Sequence, residues 1–129
     1  MGAELAWKTK IAGVVGLKNF RDRTVLKAHL DPGSWALFGR VVIYNHDGDG
    51  QGATARLVVE EKQKDDQEID VVGSYISEYH ENCFSLFGVV KVQLREGATV
   101  RLKCNTYDGA AKSGAILAIK TDSVFDGWM

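Results

Sequence analysis

Cysteine is scarce in this chain. Only Cys83 and Cys104 occur among 129 residues, and neither belongs to a CxxC or Cys/His pattern of the kind that binds zinc. A single domain of this length buries roughly 68% of the surface that its unfolded chain would expose, so the fold does not require a disulfide scaffold. Cys104 is in phase with Val100 and Leu102, which favours a small buried hydrophobe, and a Cys83–Cys104 disulfide is the alternative.

The sequence also lacks long apolar runs and an excess of charge of either sign. Sixteen Lys and Arg against seventeen Asp and Glu give a net charge of −1, which argues against nucleic acid or an anionic membrane as a partner. The longest wholly apolar stretches are only a few residues, as at 12–17, so no membrane span is predicted. The first residues do not have the pattern of a secretion signal, and the default expectation is a cytoplasmic protein.

Catalytic motifs are missing as well. The sequence contains no GxSxG elbow, no SxxK motif and no Cys-His signature for nucleophilic catalysis. His29, His46 and His80 are far apart and form no HxH or HxxxH pair, which makes a cupin-like metal enzyme the third and least favoured hypothesis. We therefore expect a protein that is not an enzyme and has no cofactor.

What the sequence does contain is β-strand patterning. Alternating apolar residues at 86–94 and 100–106 meet at the turn Arg95-Glu96-Gly97, and a run of small apolar residues, AILAI at 115–119, follows a glycine-containing loop. Further strands are predicted at 24–30, 35–44 and 53–60, and the charged segment EEKQKDDQ at 60–67 is expected to be a surface loop or hairpin tip. Seven or eight short strands without a helical period predict an all-β sandwich or jelly roll in one domain.

Residues 45–50, NHDGDG, match the first half of a calcium-binding loop. Such a loop also requires a carboxylate at its twelfth position, where this chain has Arg56. The segment is therefore interpreted mainly as a hairpin turn, because Asn, Asp and Gly adopt turn conformations at little cost. A looser cation site that uses Asp47 and Asp49 is the weak alternative.

The closing strands FSLFGVVKVQL, REGATVRLKCNTY and GAILAIK resemble those of the tumour necrosis factor and complement globular-head superfamily. The segment SWALFGRVVIYNHDGDGQGATARLVV is similar to the central hairpin of bacterial domains with this fold. The resemblance covers about residues 24–121 and implies a jelly roll, a bacterial member of the superfamily, and a homotrimer in which the inner sheets of three subunits pack around an axis.

The residues support self-association independently of that resemblance. Both faces of the strand at 37–44 are apolar, and so are both faces of AILAI, whereas a monomeric sandwich usually has a polar outer face. Gly114, Ala115 and Ala118 are small enough to permit close approach at an axis. Coverage by loops, by the N-terminal segment or by the tail with Phe125 and Trp128 is the alternative.

Two functions follow as hypotheses. The first is a homotrimeric binding module, lectin-like and specific for a glycan, in which Tyr75, Tyr79, His80 and Asn82 supply an aromatic platform and fixed polar groups. The second is a structural or assembly component of a bacterial or phage appendage or particle, without a small-molecule ligand.

Overall fold

The structure is a computed structural model that describes residues 3–10 and 13–121. Within these ranges the chain forms nine strands. No helix in the described residues is long and apolar enough to cross a bilayer. The strands are β1 (Ala3–Lys10), β2 (Val15–Lys18), β3 (Arg23–Leu30), β4 (Gly33–Asn45), β5 (Gln51–Glu60), β6 (Gln67–Ile76), β7 (Glu81–Val92), β8 (Ala98–Thr106) and β9 (Asp108–Thr121). The predicted strands at 24–30, 35–44 and 53–60 correspond to β3, β4 and β5.

The strands form two antiparallel sheets. In the first sheet the order is β1-β9-β4-β7, with β2 also paired to β9, and in the second it is β3-β8-β5-β6. Consecutive strands repeatedly change sheets, as β3 to β4 and β4 to β5 do. This arrangement is a jelly-roll β-sandwich, so the predicted fold class is confirmed.

The core lies between the two sheets and follows from strand alternation. In β8 the side chains of Ala98, Val100, Leu102 and Cys104 are buried, while each intervening residue is partly exposed. The opposite sheet contributes Trp35, Leu37, Val41 and Ile43 from β4 in the same way. Each of these strands therefore has one face in the core and one face outside the sandwich.

The structure tests two expectations about single residues, and one of them is wrong. Ala118 is fully buried in the sandwich core, so it is not available for close approach at a subunit axis as predicted, whereas Ala115 is on the outer face. Cys104 is buried and free and Cys83 is exposed and free, which confirms the buried-hydrophobe interpretation and excludes the Cys83–Cys104 disulfide. Phe125 and Trp128 lie outside the described residues.

The charged segment after β5 connects β5 to β6 at the surface, but one of its carboxylates is structural. The Glu61 side chain is only 7% exposed, and its Oε2 accepts hydrogen bonds from the Gln93 and Leu94 N–H groups at 2.9 and 2.8 Å. Burial opposes the charged form, but the hydrogen bonds from Leu94 and Gln93, with Lys64, outweigh it and hold the pKa of Glu61 below its ordinary value. This carboxylate fixes the turn between β7 and β8.

Candidate functional site

The outer face of the first sheet is largely apolar. Because β4 is paired on both sides, its outward residues stand in rows with those of β9 and β7. The rows are Ile119, Ala36 and Val89; Leu117, Phe38 and Phe87; Ala115, Arg40 and Ser85; and Ser113, Val42 and Cys83. We call the eight apolar members of these rows, Ala36, Phe38, Val42, Phe87, Val89, Ala115, Leu117 and Ile119, the apolar face.

Phe38 and Phe87 form the centre of the apolar face. They are direct cross-strand partners, and their ring centroids are 4.9 Å apart with a tilt of 42°. Although they contact one another, they remain 40% and 45% exposed. An exposed aromatic pair of this kind on a sheet is typical of a surface that is covered by a partner.

A shallow groove of about 460 Å³ runs along this face. Its lining is mostly apolar, and Arg40, Ser85 and Asp70 add polar groups; the other lining residues are Phe38, Gly39, Leu86, Phe87, Ala115 and Leu117. Asp70 belongs to β6 of the second sheet. It reaches the groove because β6 and β7 are edge strands of their sheets and lie against each other. The groove therefore reaches from the first sheet to the edge of the second.

The outer face of the second sheet has a different character. Arg101 Nε lies 2.7 Å from Glu60 Oε1, and Arg56 Nη1 lies 2.7 Å from Glu68 Oε1. Lys103 also approaches Glu60, at 4.0 Å. Charged pairs of this kind are normal on a solvated surface. The first sheet has such a pair, Lys112 with Glu81 at 3.1 Å, at its end beyond the apolar face, and the apolar face itself contains none among the described residues.

A second group of candidate residues lies at one end of the sandwich, where loop 46–50 meets loop 77–80. Buried Asn45 organises this end: its Nδ2 donates to the Asp49, Ile76 and Ser77 carbonyls at 2.8, 3.2 and 3.1 Å. Its Oδ1 accepts from the Asp47 N–H and from Gln51 Nε2. The amide of one residue therefore ties together both loops.

Tyr75 and Tyr79 lie on the glycines of loop 46–50. Any side chain at Gly50 would collide with the Tyr75 hydroxyl, and one at Gly48 would come within 3.2 Å of the Tyr79 hydroxyl. Both tyrosines are nevertheless well exposed, at 67% and 60%. Tyr79 has a φ of 53°, unusual for an aromatic residue, and its N–H donates to the Asp47 carbonyl at 3.2 Å.

The other predicted site residues have local roles at this end. Asn82 Nδ2 donates to the Tyr75 carbonyl at 3.0 Å, and the His80 ring Nδ1 lies 2.6 Å from the Glu78 carbonyl. The structure thus brings Tyr75, at the end of β6, and the loop residues Tyr79, Asp47 and Asp49 to one end of the sandwich. Among the described residues, no three His, Cys, Asp or Glu side chains are grouped so that they could hold a metal ion.

Sequence reasoning missed several residues of both regions. Phe20 and Tyr107 form an exposed aromatic pair, with centroids 5.8 Å apart, beside the loop end. Nothing in the alternation indicates this contact, because the two residues are distant in sequence. Asp70 was missed for the same reason, whereas the apolar outer side of Phe38 and Val42 was predicted from the pattern of β4.

Comparisons with known proteins give likenesses in fold alone. No family model matches the chain, and no curated protein matches it. Among solved structures, a subviral particle of VP2 from infectious bursal disease virus aligns with a TM-score of 0.61 and 12% identity, over 97% of this chain and 35% of the viral chain. The Gt strain of that virus aligns with a TM-score of 0.60 and 10% identity, over 92% of this chain and 34% of the viral chain.

A cytokine shares the same fold over nearly its whole length. The Eiger TNF structure from S. frugiperda aligns with a TM-score of 0.58 and 12% identity, covering 94% of this chain and 96% of that chain. This chain spans only about a third of the viral chains. The matches support the resemblance to tumour necrosis factor in fold, and they give no support to the expected bacterial origin.

Proposed function

We propose that this protein is a structural subunit that assembles with copies of itself, as a homotrimer, through the apolar face of the first sheet. The single observation that carries the proposal is the contrast between the two outer faces of the sandwich. One has ion pairs such as Arg101–Glu60, and the other has the exposed pair Phe38–Phe87 in an apolar surround. Removing such an apolar surface from water lowers the free energy, which favours association.

The likenesses in fold are consistent with this role. One of the viral structures is a subviral particle of the VP2 protein. A role as an assembly component of a particle or appendage therefore stands ahead of a lectin-like role for this chain. Trimerisation itself would then be the activity, without a small-molecule ligand.

The first test is the molar mass in solution, measured by light scattering coupled to size exclusion over a range of protein concentrations. We expect three times the mass of one chain, with dissociation on dilution. A protein that stays monomeric at the highest concentration would contradict the proposal, since the apolar face would then be stable in water.

Carbohydrate binding at the loop end is the second candidate. One observation favours it: Tyr75 and Tyr79 are both exposed and both lie against the glycine loop, where their rings are available to a sugar. This candidate requires that the intact protein binds a glycan and that the binding weakens when either tyrosine is replaced by alanine.

A further inference from the structure

The four cross-strand rows that contain the apolar face include one cation, Arg40. Arg40 lies on β4 between Phe38 and Val42, and its cross-strand neighbours are Ala115 and Ser85. Among residues 13–121, no carboxylate lies within ion-pairing distance of the Arg40 guanidinium. If the face is covered by another copy, an unpaired Arg40 would be buried at considerable cost.

An anion without a described cationic partner lies at the rim of the same groove. Asp70 Oδ2 accepts a hydrogen bond from the Phe87 N–H at 2.9 Å, and Oδ1 accepts one from the Val71 N–H at 2.9 Å. These two bonds hold the carboxylate in place at the edge formed by β6 and β7, and no described Lys or Arg pairs with it. Asp70 is therefore a fixed charge at the side of the sandwich.

We propose that Arg40 of one copy forms an ion pair with Asp70 of the neighbouring copy, an inference that rests on the proposed self-association. Both residues line the same groove, Arg40 on the open face of β4 and Asp70 at the rim on the edge strand β6, and no ion pair joins them within one copy. When the face of one copy meets the edge of the next, the contact is head-to-tail, and each copy gives one cation to one neighbour and accepts one from the other. Such a contact closes into a ring when the rotation between copies permits it, and a trimer is one such ring.

The pair would fix the register of the assembly. Apolar contact through Phe38 and Phe87 is non-directional, so it does not by itself select one orientation of the neighbour. A charge pair that must meet in a desolvated contact penalises other orientations, because they leave Arg40 buried alone. Arg40 and Asp70 are thus assigned as specificity-determining residues of the interface.

Charge reversal tests the proposal, with the oligomer measured by light scattering at one salt concentration. Arg40→Glu alone and Asp70→Arg alone should each weaken assembly by about tenfold or more in concentration, since each places like charges together. Mixing the two variants should raise the oligomer fraction above that of either alone, because the two reversed charges then attract one another across the contact. The double variant R40E/D70R should assemble within about threefold of the wild type.

The alternatives give different results. A pair formed within one chain predicts rescue in the double variant but none on mixing, and this outcome would overturn the proposal. If the wild type is oligomeric and neither charge reversal changes assembly, the ion pair is overturned but self-association stands. If the wild type is monomeric, both the ion pair and the proposed self-association are overturned. Circular dichroism checks that each variant folds. If Asp70→Arg does not fold, the neutral variants Arg40→Gln, Asp70→Asn and R40Q/D70N replace the charge reversals. The double variant should then assemble no more weakly than either single variant, and additive losses would count against the pair.

Discussion

Phe38 on β4 and Phe87 on β7 are paired directly across the first sheet, with their rings in contact on the side that faces away from the core. Their neighbours in the same row and in the adjacent rows are mostly aliphatic. On the second sheet, the corresponding outer positions of β5 and β8 include Arg56 and Arg101 in ion pairs. The sandwich thus has one face suited to water and one suited to a protein surface.

The first prediction concerns this aromatic pair. Phe38→Glu places a charge at the centre of the proposed contact, so we expect the dissociation constant of the oligomer to rise by about 100-fold while the fold is retained. Phe20→Glu is the matched control, because Phe20 is 54% exposed but lies on the loop between β2 and β3. Light scattering should show a change for the first variant alone, and equal effects of the two would argue against this face as the contact.

The second prediction concerns the loop end. If a glycan binds there, Tyr75→Ala and Tyr79→Ala should each weaken binding by about 1 kcal/mol or more, as the loss of an aromatic platform does. Val71→Ala serves as the control, since Val71 is also exposed, at 44%, but lies in the middle of β6. A glycan array followed by calorimetry measures this. An array on which the folded wild-type oligomer binds nothing would remove the lectin candidate.

The third prediction concerns Asn45, whose side chain is fully buried at the loop end. Asn45→Ala deletes the donor for three carbonyls and the acceptor for Gln51, so the free energy of unfolding should fall by about 2–4 kcal/mol. Asn105→Ala removes one exposed hydrogen bond to Asp22 and should change it by less than about 0.5 kcal/mol.

Urea denaturation measures both asparagine variants, at one fixed protein concentration because assembly contributes to apparent stability. Equal losses for the two would mean that the Asn45 network does not hold the loops together. A loss confined to Asn45→Ala should be accompanied by faster hydrogen exchange in loops 46–50 and 77–80, since these are the segments that its amide joins.

The fourth prediction is a pH dependence that arises from Cys104. Burial, with a smaller contribution from the charge of Asp22, raises the pKa of the Cys104 thiol from 9.0 to about 12. Because the folded state keeps a proton that the unfolded state loses, stability is unaffected below about pH 9 and falls as the pH rises from about 9 towards about 12, by up to about 1.4 kcal/mol per unit.

Comparing the wild type with Cys104→Ala isolates this contribution. The variant should be less stable near neutral pH because it leaves a small cavity, but its stability should fall less steeply between about pH 8 and about pH 10. Cys83→Ala is the control, since Cys83 is exposed and free. Parallel pH profiles for the wild type and Cys104→Ala would show that the buried thiol does not resist ionisation.

The strand pattern alone was enough to predict the sandwich. Alternation such as that of Val100, Leu102 and Cys104 has a period of two, and only one register of a strand can bury all three side chains on one side. The same reasoning gave the apolar outer side of β4, with Phe38 and Val42. It failed for Ala118, because AILAI is apolar at every position and alternation does not tell which side of β9 faces the core.

What the sequence by itself determined is therefore the class of fold and the surplus of apolar strand surface, because both depend on the local alternation of side chains. The tertiary structure decided which residues meet: Phe38 with Phe87, Tyr75 with Gly50, and Asp70 with the backbone of Phe87. These contacts join strands that are distant in the chain, and their geometry depends on the order of strands in two sheets. No pattern within a single strand contains that order.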